Sequence, residues 1–142
     1  MKMDKGNMKF KITNIALWIV QGYLAVLFLW QGVIKLTLPA NLPDILRWVY
    51  DLHRSSPGLL AFIGISELLG AAGLILPGLT KIQPRLTPLA ALGLAVIMVL
   101  AVVYNIQRGE MAIIGLNVVV FLLAAFVAYG RWRLRPPPSR NP

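Results

Sequence analysis

The stretch Ile12–Ile34, ITNIALWIVQGYLAVLFLWQGVI, runs between Lys11 and Lys35 without a charged residue. Three further segments behave alike: Leu59–Leu76, apolar except for Glu67; Leu86–Tyr104, which follows Arg85; and Met111–Gly130, between Glu110 and Arg131. Each has about 18 to 23 residues, or ~27–35 Å as an α-helix, enough to cross a hydrocarbon core of ~30 Å. The fold expected is therefore all-α, an integral membrane four-helix bundle with helices at about 12–35, 58–77, 86–105 and 111–130. They form one domain over 12–131, between a basic tail at 1–11 and a basic, Pro-rich tail at 132–142.

A cleaved leader is the competing interpretation of the first segment, because Lys2, Lys5, Lys9 and Lys11 precede it. Its apolar run exceeds the roughly 7–15 residues of a signal core, and Thr37-Leu38-Pro39-Ala40 makes a poor cleavage site. The segment is read as retained.

Orientation follows from the basic residues. The N-terminal tail has four, the connection between the second and third segments has Lys81 and Arg85, and the C-terminal tail has Arg131, Arg133, Arg135 and Arg140, ten in all. The other side has Lys35, Arg47, Arg54 and Arg108, four in all. The positive-inside rule makes the side with ten cytoplasmic, with both termini. Trp18, Trp30, Tyr104, Tyr129 and Trp132 lie near segment ends, where interfacial aromatics belong.

Composition narrows the function classes. Hydrophobic residues make up 58% of the chain and charged residues 13%, against roughly a quarter charged in soluble domains. The net charge of +9 sits in tails and loops, a placement that fits anionic headgroups and topology rather than nucleic acid. Having no cysteine and one histidine, His53 in a loop, the chain by itself has no thiolate metal site, disulfide relay or bis-histidine haem. No metal and no covalently held cofactor are expected.

The first outer loop carries its own pattern. Pro43 and Asp44 suit a first helical turn, and Ile45, Trp48, Val49 and Leu52 then recur at helical spacing, with Arg47, Asp51 and Arg54 opposite. The expectation is a short amphipathic helix. It either lies on the outer membrane surface, capping the bundle, or packs as a loop helix with no part in ligand access.

Glu67 is the most informative residue. About nine residues into its helix it lies ~14 Å deep, where a bare carboxylate costs several kcal/mol and an ionisable residue marks function by default. Burial disfavours the charged form, so the expectation is a neutral Glu67 hydrogen-bonded to Gln21, which reaches similar depth in the first helix. The bland alternative is a structural hydrogen bond locking two helices. Ser66 and Gly70, with Gly64, Ala71 and Gly73 nearby, let this helix pack closely. Gln31 and Lys35 share a face at spacing i, i+4, although Lys35 can simply snorkel to headgroups. With Asn105 ending the third helix and Asn117 early in the fourth, the outer half holds Gln31, Lys35, Asn105 and Asn117 above Glu67. They either converge on an outward pocket or are separate helix-end residues. No catalytic residue is assigned.

The order Gln31-Gly32-Val33-Ile34-Lys35-Leu36, then Gly64-Ile65-Ser66-Glu67-Leu68-Leu69-Gly70, then Gly73-Leu74-Ile75-Leu76-Pro77-Gly78 and Gln107-Arg108-Gly109-Glu110, resembles the DoxX-like family of small four-helix bacterial membrane proteins. The resemblance covers about Leu17 to Arg131 and rests on a Gly-x-x-Lys and a Gly-x-x-Glu element in the right order. It implies a bacterial inner-membrane bundle linked to membrane oxidoreductase systems, including thiosulfate-to-quinone electron transfer and oxidative-stress complexes. Any redox role would rest on a bound quinone or a partner subunit, since the chain lacks cysteine. The expected function is an accessory subunit of a quinone-linked membrane oxidoreductase system. The alternatives are a non-catalytic membrane scaffold or assembly factor and a small proton-coupled transporter. The expected partners are the lipid bilayer and either further copies of the chain or another membrane protein.

Overall fold

The computed structural model describes residues 5–80 and 85–133. The remainder of the basic tails, the Pro-rich segment and Lys81 lie outside the described residues. Helix α1 spans Lys5–Thr37, a 3-10 turn spans Asp44–Leu46, and α2 spans Trp48–Ser55. Helices α3 (Pro57–Thr80), α4 (Leu86–Arg108) and α5 (Met111–Arg133) complete the chain. The four long helices are each apolar and long enough to cross a membrane, so this is a multi-pass membrane protein.

Consecutive long helices run antiparallel in a closed ring, α1 on α3, α3 on α4, α4 on α5 and α5 back on α1. The start of α1 and the end of α5 thus share one end of the bundle, here the tail end. Helix α2 closes the other, capped end.

All four long helices outrun their apolar segments. Helix α1 begins at Lys5, inside the stretch read as a tail, and α5 continues to Arg133. Hydropathy marks where a helix enters lipid, but nothing in Lys9-Phe10-Lys11 stops the helix itself. Helix α3 passes through Pro77 to Thr80 instead of ending there. Pro77 forfeits only its own bond to the preceding turn, and Thr80 Oγ1 donates to the Leu76 carbonyl at 2.7 Å. Helix α4 stops at Gly109, whose φ of 72° is open to glycine and whose N–H donates to the Asn105 and Ile106 carbonyls.

The bundle interior joins Leu17, Leu24 and Phe28 of α1 to Leu74 of α3, Leu94 and Met98 of α4, and Val120, Ala124 and Val127 of α5. The outward faces are equally apolar: Ile19, Val26, Leu69 and Leu122 are all exposed. A surface of that kind is stable against lipid tails, not water.

A second cluster seats the cap. Trp48, Val49 and Leu52 of α2 pack on Leu60 of α3 and Ile113 of α5. The buried face differs from the expected one at its start, where Leu46 is buried and Ile45 is 45% exposed. The 3-10 turn, with Leu46 N–H bonded to the Pro43 carbonyl and Arg47 N–H to that of Asp44, is the cause. It advances three residues per turn, which brings Leu46 round in place of Ile45. The apolar face of α2 is turned to the bundle, and Arg47 stays exposed beside Asp44 at 2.9 Å.

Candidate functional site

Gly32 and Gly64 place the site. A Cβ on Gly32 would lie 2.8 Å from the Gly64 carbonyl oxygen, and one on Gly64 would lie 3.3 Å from the Gly32 carbonyl. The α1 and α3 backbones touch there because neither residue has a side chain. Three residues on from each glycine, on adjoining faces, stand Lys35 and Glu67. The Gly-x-x-Lys and Gly-x-x-Glu elements thus have a physical basis: the glycines remove the bulk that would keep the charged pair apart.

Lys35 Nζ donates to both oxygens of Glu67, each at 2.8 Å, and to Gln31 Oε1 at 3.1 Å. All three ammonium protons are committed. Both side chains are buried, Glu67 to 1% exposure. The expected partnership of Glu67 with Gln21 is therefore wrong, and so is a Lys35 that snorkels to headgroups. The isolated carboxylate that the depth estimate forbids is avoided by pairing with an ammonium, and the pair carries no net charge wherever its proton resides. The indole of Trp48 covers the ammonium, with its ring centroid 5.3 Å away. Tyr104 in turn packs on Trp48 at 6.0 Å.

Above this pair lies a cavity of about 360 Å³. Gln31, Lys35, Glu67, Asn105 and Asn117 all line it, drawn from four helices, and Trp48 and Leu52 of α2 roof it. The structure therefore brings five of the six expected residues to one place. The cap helix takes part in the cavity wall, contrary to a loop helix with no place at the site. Phe62 of α3 and Leu100 of α4 also line the cavity, yet they are 67% and 64% exposed. The opening is thus sideways, between α3 and α4, towards lipid.

The gap between those helices has a packing cause. In the tail half Gly70 lies against Leu94, and a Cβ on Gly73 would come within 2.7 Å of the Ala90 Cβ. Towards the cap no such glycine faces α4, and Phe62, Ile63 and Ala101 border the cavity instead.

Among the described residues, two buried polar atoms of cavity-lining side chains have no partner, Trp48 Nε1 and Asn105 Oδ1. Asn105 is wholly buried, and its Nδ2 donates to the Ala101 carbonyl at 2.8 Å. That bond orients the amide, because turning it over would set oxygen against oxygen.

Gln21 belongs elsewhere. Its Nε2 donates to the Leu74 carbonyl at 2.6 Å, and its Oε1 accepts from Arg131 Nε. Arg131 also donates to Asn14 Oδ1 at 2.6 Å and lies over Trp18, with 5.3 Å to the ring centroid. Arg131 counts towards topology in the sequence, yet it reaches inward to bond two amides. Trp48 reads as one apolar position among four, and Tyr104 as an interfacial aromatic. The signal that could have placed the site is the paired glycine spacing ahead of Lys35 and Glu67.

A family model described as DoxX-like matches residues 19–127, which include every residue of the cavity. No curated protein and no solved structure matches the chain.

Proposed function

The chain belongs to the DoxX-like family, and from that premise we propose that it binds a membrane quinone as an accessory subunit of a membrane oxidoreductase system. The observation that carries this reading is the sideways opening of the cavity between Phe62 and Leu100. A ligand entering there arrives from the lipid phase, with an apolar body and a polar head. Apolar walls and a few polar groups suit such a molecule, and quinones are lipid-phase carriers of that build.

The residues present fit the group. Trp48 Nε1 is a buried donor without a partner, and a ring oxygen can accept from it. A bound quinone would supply two-electron acceptance; the chain's own residues bind and orient the head and keep water from it. Lys35 and Glu67 give the floor a dipole without net charge, and Trp48 and Leu52 close the roof. The electrons come from a partner subunit, which is the membrane protein expected beside this one. The chain lies in a bacterial inner membrane with both termini cytoplasmic, supported by the ten-to-four division of Lys and Arg. The cavity then faces the outer leaflet.

The test is extraction of quinone from protein purified in mild detergent. Near-stoichiometric quinone is expected, falling to the detergent blank in Ala101→Phe, which fills the cavity. Blank levels in the unmodified protein, with a stable partner still attached, would leave the scaffold reading in its place.

A further inference from the structure

The polar groups around the cavity are unequal in what they offer, and we infer that the site selects the reduced, hydroxyl-bearing quinol over the quinone, with Asn105 as the specificity-determining residue. This inference rests on the quinone-binding reading. Lys35, the one cation lining the cavity, has no proton to spare: its three donors are held by Glu67 Oε1, Glu67 Oε2 and Gln31 Oε1. It cannot hydrogen-bond a quinone carbonyl while the ion pair stands. The Glu67 carboxylate retains acceptor capacity beyond the two bonds it receives. Asn105 adds an acceptor, Oδ1, that is buried, unpartnered and held in its orientation by the Nδ2 bond to Ala101. The single unpartnered buried donor at the cavity is Trp48 Nε1. Gln31 Oε1 is held by Lys35, which leaves its Nε2 as a donor that an oxygen of either form can satisfy, and the Asn117 amide can donate or accept, so neither discriminates.

A quinone has only acceptors on its head. It can satisfy Trp48 Nε1 and leaves Asn105 Oδ1 facing another lone pair or nothing. A quinol both donates and accepts. One hydroxyl satisfies Asn105 Oδ1, and its oxygen or the second one still accepts from Trp48. Only a hydroxyl can donate to Asn105 Oδ1, a bond that the quinone head cannot make. Leaving one buried acceptor unsatisfied corresponds to a preference on the order of tenfold for quinol. A tenfold tighter reduced form raises the midpoint of a bound two-electron couple by about 30 mV.

Equilibrium dialysis under argon tests this. A decyl-chain benzoquinone and its hydroquinone are each equilibrated with the protein in nanodiscs, and binding to empty nanodiscs is subtracted. The hydroquinone should bind about tenfold more tightly, and Asn105→Leu should bring the ratio close to one with the quinone affinity little changed. A redox titration of the couple bound to the unmodified protein, which needs no variant to fold, should place its midpoint about 30 mV above the couple in empty nanodiscs. Equal affinities, or a preference that survives in Asn105→Leu, would overturn the role of Asn105 and leave quinone binding standing. Binding of neither form would sink the quinone reading itself.

Discussion

The two ends of the bundle start from similar ingredients and reach different results. At the capped end Lys35 turns inward beneath Trp48, beside Gln31. At the tail end Arg131 turns inward over Trp18, beside Gln21. Each is a long cation at a helix end, covered by an indole and bonded to a glutamine of α1. Among the described residues, only the capped end adds a carboxylate to the cation, Glu67, and only there does a cavity open between α3 and α4. At the tail end the partners are neutral amides, and glycines let neighbours close in: Gly130 receives Leu17, and Gly78 receives Trp18. A buried cation in a membrane bundle can therefore be a packing element or part of a site. The counter-charge and the cavity beside it decide which.

The largest effect expected from that contrast falls on the ion pair. Lys35→Met strands the carboxyl of Glu67, and Glu67→Leu strands the ammonium, at a cost of about 3–5 kcal/mol for breaking a buried pair. The double variant should recover most of that loss, since two apolar side chains leave no unpaired charge. Reversible unfolding in mixed micelles measures all three. Additive losses in the double variant would mean that Lys35 and Glu67 do not act as a pair.

Next in size is the glycine contact that lets the pair form. Gly32→Val places a Cβ against the Gly64 carbonyl, forcing α1 from α3 at a cost of about 1–3 kcal/mol. Gly22→Val, on the same helix with open space around it, should cost under about 1 kcal/mol. Similar losses for the two would show that the close approach is not what positions the site.

The tail end should respond less. Arg131→Met removes bonds to Gln21 and Asn14 without stranding an opposite charge, and about 1 kcal/mol is expected by the scale of polar contacts measured between membrane helices. A loss as large as that of Lys35→Met in the same unfolding assay would erase the contrast between the ends.

The smallest effect belongs to the clasp on the cap. Arg108 bonds Asp51 of α2 at 2.6 Å and Glu110 at 3.0 Å, in partly exposed positions. Arg108→Gln should cost under about 1 kcal/mol, and less at high salt. Hydrogen exchange should quicken in α2 and leave α4 unchanged. Faster exchange throughout the bundle would make the clasp a structural support and not a local tie.

The four crossings were legible in the chain because lipid imposes one requirement on every residue of a span. A backbone in hydrocarbon must bond to itself, so apolar runs of sufficient length become helices whatever their neighbours. The convergence of Gln31, Lys35, Asn105 and Asn117 above Glu67 could also be framed from depth alone, since ~1.5 Å per residue converts position into height. Neither the axial offset of neighbouring helices nor their rotation is contained in that conversion. Counting from the segment ends sets Gln21 and Glu67 at one depth, yet Gln21 bonds the Leu74 carbonyl, seven residues or ~10 Å along α3 from Glu67, because the packing of Gly32 on Gly64 fixes how α1 is offset against α3. The burial of Leu46 in place of Ile45 comes from a local 3-10 turn that periodicity could not foresee. The sequence by itself determined the spans, the acid that needed a partner and the glycines that allow one. The tertiary structure alone decided that the partner is Lys35 and that α3 and α4 part beside it. Those outcomes depend on which helix faces meet, and a one-dimensional pattern does not contain that angle.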